Sequence, residues 1–105
     1  MKLLTRELRD RLPVIGATER DADPSACVKL FLPGTRWTWY LLEFDGDDLL
    51  FAFVKSGLDD AYDELGYVSL AELEQLRHPL GFRVERDIWF EPMSLSAITA
   101  TTAIV

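Results

Sequence analysis

Two apolar segments joined by a short acidic turn constrain the fold of this 105-residue chain most strongly. Residues 36–44 read RWTWYLLEF, residues 49–54 read LLFAFV, and Asp45-Gly46 stands between them. This pattern is typical of a β-hairpin, because glycine adopts a positive φ at little cost. Both alternating faces of the first segment are largely apolar, which predicts a central strand that is covered on both sides. We therefore expect this hairpin at the centre of a sheet.

Further segments predict the rest of that sheet. CVKLFL at residues 27–32 has strand composition and stops at Pro33-Gly34. A short strand is predicted at residues 66–68, and DIWF at residues 87–90 is a candidate last strand that Pro92 would close. The prediction is an antiparallel sheet of about four strands, near residues 27–32, 36–44, 49–54 and 66–68, with 87–90 as a candidate fifth.

Capping residues predict two helices that pack on the sheet. Thr5 can cap a short helix over residues 6–12, in which leucines repeat at four-residue spacing. Ser69 and Glu72 form a capping-box pattern that begins a helix over residues 70–77. One helix precedes the strands and the other follows most of them, which favours an α+β fold over alternating βαβ units.

Length and composition predict one domain, residues 1–105, with 49% hydrophobic residues to form its core. A single cysteine, Cys27, excludes an intramolecular disulfide. The opening segment lacks the pattern of a signal peptide, and the longest apolar stretches are too short to span a membrane. We therefore expect a cytoplasmic protein without membrane association. The apolar tail, residues 96–105, is compatible with a helix start, an added strand or a flexible end.

The residues that most often perform chemistry are poorly placed for it. His78, the only histidine, lies at a predicted helix end, where its charge can simply favour the helix dipole. Cys27 has only Lys29 nearby to activate it, and a half-buried inert thiol is the simpler interpretation. The acidic residues lack calcium-loop spacing, and the glycines form no phosphate-binding loop. The sequence predicts no enzyme, no cofactor and no metal; a small hydrolase or metal-dependent enzyme is the least favoured class.

The net charge of −7 is concentrated in one segment of the chain. Residues 43–74 hold ten acids and only Lys55 as a base, a net −9, whereas the two flanking segments together sum to +2. This segment is either a solvated face or a negative surface for a basic partner, including a DNA-handling host protein. The candidate partner-binding residues are Asp45, Asp47, Asp48, Asp59, Asp60, Asp63 and Glu64.

The aromatic strand raises a nucleic-acid alternative. Trp37, Trp39 and Tyr40 lie near Arg36 and Lys29, as in a stacking platform for single strands. The competing interpretation is a core strand, since aromatics at period two pack well against helices. Nucleic-acid affinity depends largely on phosphate neutralisation, which the overall negative charge opposes. Direct nucleic-acid binding is therefore the less favoured alternative.

Three segments resemble the family called domain of unknown function 2958. They are MKLLTRELRDRLP at the start, WTWYLLEFDGDDLLFAFV in the centre, and ELGYVSLAELEQLRHPLGFRVERDIWFEP after the acidic connection. The resemblance covers residues 1–95, and the tail after Leu95 lies outside it. This family is common on bacterial plasmids, integrative elements and phages.

The resemblance implies a biological context but transfers no catalytic residue, because the family has no established activity. Small acidic proteins on mobile genetic elements often inhibit host defence. The expectation is therefore a small acidic binding protein that inhibits a host defence system (anti-restriction or anti-CRISPR) by protein–protein contact. The alternatives are a single-stranded nucleic-acid-binding accessory of plasmid transfer that uses the aromatic strand, and a structural accessory of the transfer apparatus.

Overall fold

The computed structural model of the protein describes residues 2–57 and 63–102. It confirms an α+β fold, in which short helices pack on a five-stranded antiparallel sheet and a two-stranded sheet lies beside it. In chain order the elements are α1 (Arg6–Arg11), β1 (Ser25–Ala26), β2 (Val28–Phe31), β3 (Thr38–Phe44), β4 (Leu49–Lys55), β5 (Glu64–Ser69), α2 (Leu70–Gln75), β6 (Glu85–Arg86), β7 (Met93–Ser94) and α3 (Leu95–Thr102).

The predicted hairpin is confirmed at the centre of the larger sheet. The strand order is β5-β4-β3-β2-β6, and β1 pairs with β7. The turn between β3 and β4 is organised by Asp45, whose Oδ1 accepts the backbone N–H groups of Asp47, Asp48 and Leu49 at 2.8, 2.8 and 3.0 Å. Gly46 has a φ of +89°, as a turn of this kind requires.

Both faces of the sheet are covered, as the apolar character of β3 predicts. On the α1/α2 face, β-strand residues such as Leu30 and Leu41 pack with Leu4 and with Leu73 of α2. On the opposite face, which we call the α3 face, a smaller cluster is formed by Ala26, Leu42, Phe53 and Ile98. Side chains alternate between these two cores from Trp39 to Leu42, and the register shift after Leu41 returns Phe44 to the α1/α2 face.

The predicted helix starts are confirmed, and both helices end earlier than predicted. Thr5 Oγ1 accepts the N–H of Leu8 at 3.2 Å, and Ser69 Oγ accepts the N–H of Glu72 at 3.2 Å. The second helix ends at Gln75 because the chain becomes extended at Leu76. Just beyond, Arg77 enters an isolated antiparallel bridge with Arg83, which a continued helix would prevent.

The predicted strand at residues 87–90 is wrong. The strand at this position is β6, whose Glu85 and Arg86 pair with β2. Asp87 ends the pairing, because its Oδ1 accepts the N–H of Trp89 at 3.0 Å and its carbonyl accepts the N–H of Phe90 at 3.2 Å. An aspartate that binds the backbone two residues ahead favours a turn over a strand.

The segment after Leu95 begins as a helix, one of the three alternatives for the tail. Asp23 caps it: its Oδ1 accepts the N–H of Ser96 at 2.9 Å and its Oδ2 accepts the Ser96 hydroxyl at 2.6 Å. Ile98 is buried against the sheet. Residues 103–105 of this tail lie outside the described residues.

Candidate functional site

Two carboxylates of the acidic turn between β3 and β4, those of Asp45 and Asp48, accept hydrogen bonds that stabilise the fold. Asp48 caps α2 from outside the helix: its Oδ1 accepts the N–H of Ala71 at 2.7 Å and its Oδ2 accepts the hydroxyl of Ser69 at 2.6 Å. The Ser69 hydroxyl and then the Ala71 amide lower the pKa of Asp48. The Asp47 amide is the largest cause of the lowered pKa of Asp45. Asp47 itself is exposed, and its carboxylate has no partner among the described residues.

The second acidic group lies at the start of β5. Glu64 is exposed and pairs through its backbone with Val54. Asp63 is half-buried, and its Oδ1 is buried without a hydrogen-bond partner in the described part of the chain. Asp59 and Asp60 of the predicted acidic site lie outside the described residues.

The two acidic groups do not form a single patch. They lie at opposite ends of β4, whose seven residues extend about 20 Å at the usual rise of ~3.3 Å per residue. β5 runs antiparallel to β4 over this same length and is an edge strand of the sheet formed by the described residues. The structure therefore places carboxylates at both ends of one edge strand. We call the outer side of residues Glu64–Ser69 the β5 edge.

Two large apolar side chains are exposed along the β5 edge. Leu65 is 46% exposed and Tyr67 is 60% exposed. The Tyr67 ring packs against Phe51 of the neighbouring strand, with 5.0 Å between the ring centroids. The sequence pattern predicted a strand only at residues 66–68, which is shorter than β5, and did not indicate an exposed apolar surface there. The sequence does contain a signal for this surface. Residues 65–69 read LGYVS, and the period of two along a strand places Leu65 and Tyr67 on the same side.

The aromatic residues of the nucleic-acid alternative do not share one face. Trp39 is only 5% exposed, in the core of the α1/α2 face, and Trp37 stacks on it with 6.0 Å between centroids. Tyr40 lies on the α3 face beside Phe53 and Phe90. Of the three, Trp37 is the exposed ring, at 40%.

A groove that was not predicted from the sequence lies at the opposite edge of the sheet. It has a volume of about 620 Å³, and Trp89, which is 85% exposed, forms part of its wall beside Ile88. Lys29 lies 3.8 Å from the Asp87 carboxylate within it. Its lining residues are Lys29, Phe31, Thr35, Thr38, Glu85, Arg86, Asp87, Ile88 and Trp89.

Cys27 and His78 belong to the residue types that often act as nucleophile or base, but their surroundings do not activate them. Burial raises the pKa of the Cys27 thiol, against the smaller opposing effect of Arg11. His78 Nδ1 accepts the N–H of Leu80 at 3.0 Å, and its ring centroid lies 5.4 Å from that of Phe82. Across residues 2–57 and 63–102, no group of three or more His, Cys, Asp or Glu side chains is arranged to hold a metal ion. Nor does this part of the chain contain a helix long and apolar enough to cross a membrane.

Comparison with known proteins gives a family and no individual relative. No curated protein and no solved structure matches the chain significantly. One family model, described as a protein of unknown function (DUF2958), matches residues 3–104. The match includes α3, so the expectation that the chain after Leu95 lies outside the resemblance is wrong. The chain belongs to the DUF2958 family.

Proposed function

We propose that the protein is a non-catalytic, cytoplasmic binding protein of mobile genetic elements that inhibits a host defence system, of the anti-restriction or anti-CRISPR kind. It acts by contact with a basic, DNA-handling host protein. The observation that carries this proposal is the position of the carboxylates, which stand at both ends of an edge strand with exposed apolar side chains.

Electrostatics supports a basic partner. Hydrogen bonds lower the pKa of Asp45 and Asp48, so both carboxylates remain charged well below neutral pH and add to the field of exposed Asp47. Carboxylates on a rigid scaffold can occupy positions that DNA phosphates take on a DNA-binding protein. Such complementarity accelerates association and makes it sensitive to salt.

The environments of Cys27 and His78 support a binding function over a catalytic one. A reactive cysteine needs a lowered pKa, whereas burial raises the pKa of Cys27. The Nδ1 atom of His78 is occupied by a backbone amide two residues ahead.

The test is a double charge reversal, with one substitution near each end of β5. Asp47→Lys with Glu64→Lys changes two exposed carboxylates whose side chains make no hydrogen bond to other described residues. The matched control is Glu85→Lys with Glu91→Lys, which changes the net charge equally; Glu85 lies on β6, the opposite edge of the sheet. The partner would be sought among purified restriction endonucleases and CRISPR effector complexes, with binding and DNA cleavage as readouts.

We expect the double reversal to weaken binding at least about tenfold and to restore DNA cleavage, because both effects depend on the same contact. The control should bind like the wild type, and binding of the wild type should weaken as salt is raised. If the double reversal and the control bind the partner equally well, the carboxylates at the ends of β5 are not the contact surface.

A second function, as a single-stranded nucleic-acid-binding accessory of plasmid transfer, is favoured by one observation. The groove beside β6 combines the exposed Trp89 with Lys29 and Arg86, the residue types that stack on bases and contact phosphates. Glu85 and Asp87 in the same groove offset these positive charges. Tryptophan fluorescence during titration with oligonucleotides at low salt tests it, with Trp89→Phe and Trp37→Phe to identify the responding ring. A signal that stays constant would exclude this function.

A further inference from the structure

The hydrogen-bond pattern of β5 shows which of its backbone groups face outward. Leu70 N–H donates to the Asp48 carbonyl at 2.9 Å, and the next pair along the ladder is Leu49 with Ser69. Hydrogen-bonded and non-hydrogen-bonded pairs alternate in an antiparallel ladder. The backbone groups that bond β4 are therefore those of Val68, Gly66 and Glu64, and the N–H and C=O groups of Leu65 and Tyr67 point away from the sheet.

The β5 edge has little of the protection that usually guards an edge strand. Natural proteins shorten such strands, interrupt them with a bulge, or place proline or charged side chains, especially lysine, on them. β5 has six residues, ELGYVS, whose one charged residue, Glu64, stands at its start. It has neither lysine nor proline, and its pairing with β4 runs without a register shift from Leu49–Ser69 to Val54–Glu64. Within the described residues, β4 is its one neighbour in the sheet. This edge is ready to pair with a further strand.

We propose that the β5 edge binds an extended, basic segment of the partner protein by strand addition. The main chain of the segment would bond the outward N–H and C=O groups of Leu65 and Tyr67, and its alternating apolar side chains would pack on these two residues. Lysine or arginine residues at its two ends would meet Asp63 and Glu64 on one side and Asp47 on the other. This inference rests on the proposed function, because it names the part of the partner that the acidic surface binds.

Charge selects a basic segment over a second copy of this chain. In an antiparallel pair of β5 strands, the acidic start of one strand would face the acidic end of the other. In a parallel pair, starts would face starts and ends would face ends. Both arrangements bring like charges together, which is unfavourable. A segment with basic ends reverses the sign of both contacts.

The probe for the experiment is a synthetic peptide with alternating valine and threonine at its centre and two lysines at each end. Its control has glutamate in place of every lysine. Binding is measured by fluorescence anisotropy, and hydrogen exchange is followed by NMR for individual amides. In the free protein, the outward amides of Leu65 and Tyr67 should exchange quickly, and those of Gly66 and Val68 slowly. The lysine peptide should slow exchange at Leu65 and Tyr67 at least about tenfold, and the glutamate peptide should not bind.

A proline substitution separates the main-chain contact from the side-chain contact. Leu65→Pro removes an outward N–H and leaves the ladder with β4 intact, because proline is tolerated where the N–H of an edge strand faces away from its neighbour. Leu65→Ala removes the same apolar side chain and keeps the N–H. We expect Leu65→Pro to bind the lysine peptide at least about tenfold more weakly than Leu65→Ala, with matching near-UV circular dichroism.

Equal affinity of the two variants, or unchanged exchange at Leu65 and Tyr67, would overturn strand addition. If Leu65→Pro does not fold, the main-chain hydrogen bonds are removed from the peptide instead of from the protein. Wild-type protein is titrated with a lysine peptide N-methylated at alternate residues, in the two possible registers. Strand addition requires that one register binds at least about tenfold more weakly than the unmethylated peptide, and equal binding by both registers would overturn it.

Two further outcomes separate this inference from the proposed function. If the Asp47→Lys, Glu64→Lys variant loses the host protein and Leu65→Pro retains it, the acidic contact stands and strand addition is overturned. If the lysine peptide slows the Leu65 and Tyr67 amides and host-protein binding is insensitive to charge reversal, strand addition stands and the proposed function fails. Analytical ultracentrifugation without peptide tests for a dimer. A dimer that Leu65→Pro dissociates would overturn the basic segment as the occupant of the β5 edge and identify a second copy of this chain in its place.

Discussion

The buried carboxylate of Glu43 on β3 binds Thr18, which lies 25 residues earlier in the chain, through both the backbone N–H at 2.8 Å and the hydroxyl. The same carboxylate accepts the N–H of Gly16 at 2.8 Å. Glu43 is 3% exposed and lies at the register shift that follows Leu41 in the pairing of β3 with β4. It thus joins the turns of residues 14–20 to the centre of the sheet.

Removal of the Glu43 carboxylate should destabilise the fold. Glu43→Ala leaves the amides of Gly16 and Thr18 without acceptors, and we expect a loss of roughly 2–4 kcal/mol in the free energy of unfolding. Glu43→Gln retains one acceptor oxygen and should cost less. Urea denaturation followed by tryptophan fluorescence measures both, with exposed Glu19→Ala as the control. A Glu43→Ala variant as stable as the control would contradict the structural role of this contact.

Stability should depend on pH through four carboxylates. Hydrogen bonds lower the pKa of Asp23, Asp45 and Asp48. At Glu43, burial raises the pKa, and the three bonds from Thr18 and Gly16 together outweigh it, so that the pKa is lowered. Because these pKa values are lower in the folded state, protonation favours the unfolded state. Their contribution is complete above the unfolded values near 4 and is lost as pH falls through the folded values.

Urea unfolding at a series of pH values from about 6 to about 3 measures this dependence. The denaturation midpoint should change little in the upper part of the range and fall steeply below about pH 4. Glu43→Gln and Asp48→Asn should each make the fall shallower, because each removes one titrating group. A midpoint that rises as the pH is lowered would have the wrong sign.

Asp48 and Asp47 are neighbours with different predicted roles. Asp48→Asn loses charge-assisted bonds to Ser69 and to the first turn of α2, so we expect its melting temperature to fall. Asp47→Asn should leave the melting temperature unchanged, since the Asp47 side chain makes no such bond in the described structure, and should weaken partner binding. Differential scanning calorimetry of the two variants measures the contrast. Equal melting temperatures would refute the capping role of Asp48.

α3 should behave as part of the folded domain. Ile98→Ala removes a buried side chain from the cluster with Leu42 and Phe53, and a cavity of this type costs roughly 2–5 kcal/mol. Ala100→Ser, on the exposed side of the same helix, should change stability by less than about 0.5 kcal/mol. Chemical denaturation compares them. If Ile98→Ala is neutral, α3 does not contribute to the core.

Most parts of the fold that depend on residues close in sequence were predictable, and the turn at Asp87 is the exception. The β3–β4 hairpin follows from two apolar segments around Asp45-Gly46, and the helix starts follow from Thr5 and Ser69 acting on amides three residues ahead. The strand predicted at residues 87–90 does not form, because the Asp87 carboxylate accepts the N–H of Trp89 and so favours a turn. Strand propensity does not take account of such a side-chain bond to the backbone. The concentration of negative charge in residues 43–74 was likewise readable from composition.

The use of each carboxylate was decided only by tertiary structure. Within one acidic segment, the Glu43 carboxylate accepts hydrogen bonds from amides 25 and 27 residues earlier in the chain, and Asp48 caps a helix that begins more than 20 residues later. Asp47 and Glu64 are left exposed to solvent. The order of strands likewise made β5 an edge and gave it acids at both ends. Sequence by itself determined the β3–β4 hairpin and the starts of α1 and α2, because their signals act between near neighbours. Their arrangement depended on contacts between distant residues, which exist only once the chain has folded.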